Sequence, residues 1–162
     1  MNKILALLTL TLILIGCNRK SGGSRDRLFD TEKAISFDQN SPFSPYTIID
    51  GEYIVFSYAF NHPQDDDIAD DELTEIVAFT IPAGLTSFEF TSDDLANNPE
   101  LTLGYARLCF CGNITGYEPI SFTAKGTKIS KEKWEVKFDV TFENGEYEYA
   151  VSDDGIYYKS EF

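Results

Sequence analysis

Lys133-Trp134-Glu135-Val136-Lys137-Phe138-Asp139-Val140-Thr141-Phe142 alternates without a break, with Trp134, Val136, Phe138, Val140 and Phe142 on one side and charged or hydroxyl residues on the other. Successive side chains of a strand leave opposite faces, so a sustained period of two specifies a strand with one buried and one wet face. Ile120 to Ile129 precedes it as a hairpin partner, and Asn144-Gly145 follows, a pair suited to positive φ in a tight turn. Glu146 to Ser152 then returns with Tyr147, Tyr149 and Val151 on one side. Asp154-Gly155 reads as a second turn before a last strand from Ile156 to Phe162. The C-terminal third is expected to be an antiparallel meander in which Trp134 packs with Phe138 and Tyr149.

Working back from this meander, Leu101 to Cys111 is the longest β run that the pattern suggests, and Ser87 to Thr91 is a short alternating strand with Phe88 and Phe90 inward. Between them Ser92 to Glu100 reads as a polar loop. Leu73 to Ile81 is a strand closed by Pro82-Ala83-Gly84, a turn signal. Glu52 to Phe60 has apolar residues on both faces, as a central strand would. Leu28 to Pro45 mixes short apolar patches with Pro42 and Pro45 and is expected to be irregular. No helix is predicted. About nine strands separated by turns predict an all-β domain, an antiparallel β-sandwich or barrel-like body.

Composition agrees with a folded chain. Of 162 residues 43% are hydrophobic, and thirteen Phe, nine Tyr and one Trp supply a core, which excludes a wholly disordered protein. Net charge is −14, and from Leu28 onward eight Lys/Arg stand against 26 Asp/Glu, leaving −18. Such a body repels phosphate backbones, so nucleic acid is not an expected partner. No Gly-x-Ser-x-Gly elbow and no phosphate-binding Gly loop occurs, and the reading is of a non-enzymatic protein without a cofactor.

The N-terminus carries the most specific motif. Lys3 precedes an uncharged apolar run from Ile4 to Ile15, too short to span a bilayer, and the run ends in Leu14-Ile15-Gly16-Cys17. This order resembles the bacterial lipoprotein signal, and the resemblance implies cleavage before Cys17 and its acylation. It also implies a lipid-anchored envelope protein, at the outer membrane because residue 18 is Asn and not Asp. The expected layout is a signal peptide over 1–16, an acylated cysteine and flexible basic tether over 17–27, and an all-β domain over 28–162. The body resembles no named family; in length it is similar to the small all-β lipoproteins of Bacteroidota-type genomes.

Candidate site residues are few. Cys109 and Cys111 share one strand face, with Cα atoms ~6.6 Å apart at a normal rise, at the upper limit for a disulfide. An oxidising compartment favours a strained bond between them, and Arg107 on the same face supplies a cation that would suit thiol-disulfide exchange. Structural pairing, partial metal ligation and redox work all stand as readings. Asp65, Asp66, Asp67, Asp70, Asp71 and Glu72 crowd six carboxylates between two strands, either a solvated loop or oxygen ligands for calcium. His62 is expected on the surface. Glu75 and Arg107 interrupt apolar faces, so they lie near solvent or pair with each other. Lys125, Lys128, Lys131, Lys133 and Lys137 concentrate positive charge on one hairpin. The function expected from these features is binding of an envelope protein or glycan. The alternatives are a redox accessory role for Cys109 and Cys111, or a purely structural one.

Overall fold

The computed structural model describes residues 23–37, 46–63, 73–109, 117–145 and 147–160. Cys17 and the signal segment, the acidic residues from Asp65 to Glu72, and Cys111 lie outside the described residues.

The elements run β1 (Ser24–Phe37), β2 (Tyr46–Asn61), β3 (Leu73–Pro82), β4 (Ser87–Thr91), α1 (Ser92–Asn97), β5 (Leu103–Cys109), β6 (Glu118–Ser130), β7 (Lys133–Glu143) and β8 (Glu148–Lys159). The protein is mostly β, as expected, but its strands form one sheet in the order β4-β6-β7-β8-β1-β2-β3-β5, not the two antiparallel sheets of a sandwich. The sheet is also mixed and is not closed into a barrel. All pairs are antiparallel except β1 with β8, which run parallel and register only at Leu28 with Tyr158 and Phe29 with Lys159.

Aromatic side chains curl this sheet onto itself. Phe56 of β2 has ring centroids 5.6 Å from Phe88 of β4, 5.5 Å from Trp134 of β7 and 5.7 Å from Tyr157 of β8. Phe79 of β3 likewise reaches Phe122 and Phe138 at 5.9 and 6.0 Å. Strands far apart in the hydrogen-bonded order thus share one core, packed edge to face as aromatic quadrupoles favour. Period-two patterning assigns faces without saying which sheet a strand joins, which is why the sandwich expectation failed.

The meander matches its pattern in detail: Trp134, Val136, Phe138, Val140 and Phe142 are buried, and the residues between them are exposed or half-buried. Trp134 contacts Phe56 and Phe88, however, and not Tyr149. Register places Tyr149 opposite Phe142, at the other end of β7. Gly145 has φ +84 in the turn, whereas Asp154-Gly155 makes no turn, and β8 continues through it. A Cβ at Gly155 would stand 2.5 Å from Arg27 Nε. This glycine lets the guanidinium lie across β8 and grip Asp153 with two hydrogen bonds of 2.7 Å. The Tyr157 hydroxyl donates to the same carboxylate, which is 3% exposed. The ion pair therefore fastens β1 to β8 beside their two-residue ladder.

Two further expectations yield to local chemistry. Asp94 accepts hydrogen bonds from the N–H and hydroxyl of Thr91, starting α1 where a plain loop was expected. β1 is a 14-residue strand, not irregular chain, and it starts at Ser24, so Arg25 and Arg27 belong to the sheet and not to a tether. Glu32, at φ 60, interrupts the β1/β2 register and bends the hairpin beyond it. The bent arm lays Tyr46 and Ile35 over the outer face of β3 and β5, against Val55, Ala78 and Ala106. A Cβ at Gly104 would come within 2.8 Å of the Tyr46 ring, so only a glycine there admits so close an approach. The arm explains why β2 is buried on both faces and, at 16 residues, outruns the strand expected to be longest.

Candidate binding surface

Register brings six strand termini and β1's start to one end of the sheet. Ser24 pairs with Asn61, Leu73 with Cys109, Glu118 with Glu143, and Glu143 with Glu148. On the inner face at this end the core's apolar rows give way to a charged row: Arg25 opposite Phe60, Phe60 opposite Glu75, and Glu75 opposite Arg107.

Each charge in the row takes a definite partner. The Tyr105 hydroxyl donates to Glu75 Oε1 at 2.6 Å, and His62 Nε2 lies 2.6 Å from Glu75 Oε2. His62 also packs on Phe60 at 4.5 Å, so it is a half-buried member of the cluster and not an isolated surface residue. Glu75 and Arg107 are cross-strand neighbours that take separate partners. Arg107 stacks over the Tyr149 ring at 5.0 Å, and Arg25 over Phe60 at the same distance. Tyr105, Tyr117 and Tyr149 back the row in successive perpendicular contacts at 4.8 and 5.3 Å. Burial, and then the Glu75 carboxylate beside it, pushes the Tyr105 phenol far above its ordinary range, so it remains a donor at any physiological pH. Burial works against the Arg107 charge, but the phenols of Tyr117, Tyr149 and Tyr105 outweigh it and keep the guanidinium protonated.

Of the residues read from sequence as candidates, Cys109 ends β5 opposite Leu73 at this same end. Glu75 and Arg107 meet here too. His62 was read as surface, Tyr149 was read as a core partner of Trp134, and neither Tyr105 nor Tyr117 was read as a site residue. Two charges on apolar strand faces were the signal: antiparallel pairing sets them opposite one another and makes the aromatic residues around them the walls of a site. Among the described residues no group of three His, Cys, Asp or Glu is placed to hold a metal.

A second surface lies on the outer face of β4, β6 and β7, a shallow depression of about 800 Å³ lined by Glu89, Lys125, Thr127, Glu135, Lys137 and Asp154. Lys125 and Lys137 face each other across β6 and β7, and Lys137 reaches Asp154 at 3.6 Å. Opposed lysines with carboxylates on both flanks are what the water-facing side of a half-buried sheet carries. This face lacks the buried polar groups that distinguish the strand-end cluster.

Comparison with family models, with curated proteins and with solved structures finds no match.

Proposed function

We propose that the protein is a lipid-anchored, non-enzymatic component of the bacterial envelope, held at the outer membrane, which binds an envelope protein or glycan through the strand-end surface around Glu75 and Arg107. The observation that carries this reading is the charged row itself, interrupting an otherwise aromatic interior at the end where β1 begins. Cys17 lies seven residues before Ser24, so an acylated Cys17 keeps this end within ~25 Å of the bilayer even with the chain fully extended. Interior rings fill the curl of the sheet, which favours binding at its surface over storage of an apolar molecule inside it.

Anchoring and binding are tested separately. Cys17→Ser should abolish acyl labelling and membrane recovery; labelling that survives it overturns the lipoprotein reading. His62→Ala with Arg107→Ala should reduce recovery of envelope material cross-linked to the protein, while Lys125→Ala with Lys137→Ala should leave it unchanged. The reverse pattern would transfer the binding role to the outer depression.

A further inference from the structure

Arg107 is the unusual arginine of this fold, and Arg27 shows what a satisfied one looks like. Arg27 meets a resident carboxylate through both arms of its fork. None of the ion pairs among the described residues includes Arg107, although the body around it carries a charge of −18. Its register partner Glu75 is already engaged through both oxygens, by Tyr105 and by His62. Among the described residues Arg107 Nε is buried without a well-aligned acceptor, and the Tyr117 hydroxyl, close enough to the guanidinium to help hold its charge, makes no well-aligned hydrogen bond of its own. Buried donors without acceptors bear their full desolvation penalty, and in native folds such groups mark the place of a water or an ion.

The stacking on Tyr149 holds the guanidinium plane in position, and Tyr117 packs on the same ring. A guanidinium edge and a phenol hydroxyl together match the oxygens of a carboxylate or a phosphate. Tyr147, 59% exposed and with its ring 6.4 Å from Tyr149, extends the aromatic wall to the rim.

We propose that Arg107 and Tyr117 form a receptor for one oxyanion of the ligand, a carboxylate or phosphate group, with the Tyr149 and Tyr147 rings flanking the polar body that carries it. The inference rests on the strand-end surface being the binding face, and it narrows the ligand to an acidic one.

Side-chain nitrogen NMR of the full chain in a neutral detergent reads the site directly, since Arg107 and Arg27 give separate Nε–H signals that arginine-to-lysine variants assign. Inorganic phosphate, glucuronate and glucose are the probes. The Arg107 signal should move saturably with phosphate or glucuronate and not with glucose, while that of Arg27 stays still. Arg107→Lys, which keeps the charge and loses the fork, should weaken binding about tenfold. Tyr117→Phe, which keeps the ring, should weaken it by a smaller factor, with melting temperatures reporting that both variants fold. A response to glucuronate alone supports an acidic sugar, and a response to phosphate alone supports a phosphorylated group or lipid headgroup. An Arg107 signal indifferent to both anions overturns the receptor. If strand-end backbone amides still move with glucose in that case, the binding surface survives and only its acidic ligand is lost.

Discussion

The half of the sheet formed by β4, β6, β7 and β8 has one face in the core and one in water, whereas in the half formed by β1, β2, β3 and β5 the last three strands are covered on both sides. The first half relies on aromatic insertion into the common core. The second adds an outer cluster under the bent β1/β2 arm. Burial on two faces needs small residues as well as large ones, and Ala78, Gly104 and Ala106 provide the flat ground on which Tyr46 rests.

Truncating the central ring of the one-faced half should have the largest effect. Trp134 is fully buried between Phe56 and Phe88, and Trp134→Ala should cost ~3 to 5 kcal/mol in chemical denaturation. A loss below about 1 kcal/mol would mean that the two halves do not share a core. Tyr46→Ala tests the covered half and should cost ~3 kcal/mol, because it strips the lid from the outer face of β3 and β5. If that loss is negligible, the arm merely lies on the sheet and the contrast between the halves disappears.

Where the halves join, Arg27→Ala leaves Asp153 buried without its cation and should cost ~2 kcal/mol, less than a wholly buried pair because the guanidinium is 27% exposed. Gly155→Ala attacks the same contact from β8. The double variant should lose clearly less than the sum of the single losses, and strict additivity would show that Gly155 matters for some other reason. Gly145→Ala should have the smallest effect, about 1 kcal/mol, since its Cβ would meet nothing within 4 Å and only the positive φ opposes it.

The same contrast explains what the sequence revealed. Where one face is wet, alternation is visible, and the bounds of β4, β6 and β7 follow from it closely. Where both faces are buried, apolar residues stand on both sides and the period is lost, so β2 reads only as a central strand; β1 reads as irregular for the opposite reason, since it is mostly polar and buries only Phe29. The bulge at Glu32 and the passage of Arg27 over Gly155 depend on partners distant in sequence, and Asp-Gly then resembles the turn it is not. The strand-end cluster was legible through Glu75 and Arg107, whose charges break their pattern. Its tyrosines were not, because a tyrosine on a strand face fits core packing as well as a binding wall.

The pairing of β1 with β8 also fixes an order of events. The partners Arg27 and Asp153 are 126 positions apart, and the ladder beside them joins the first described strand to the last. As the chain leaves the ribosome, β1 finds β2 early through a hairpin. Its other edge waits until the final strand has been made. Until then the inner rings of β1 and β2 lack the covering of β8, so a chain cut short before Tyr157 leaves Phe56 without one of its edge-to-face partners. Closing so long a loop is slow compared with forming the hairpins, and this makes completion of the chain the step on which a finished molecule depends.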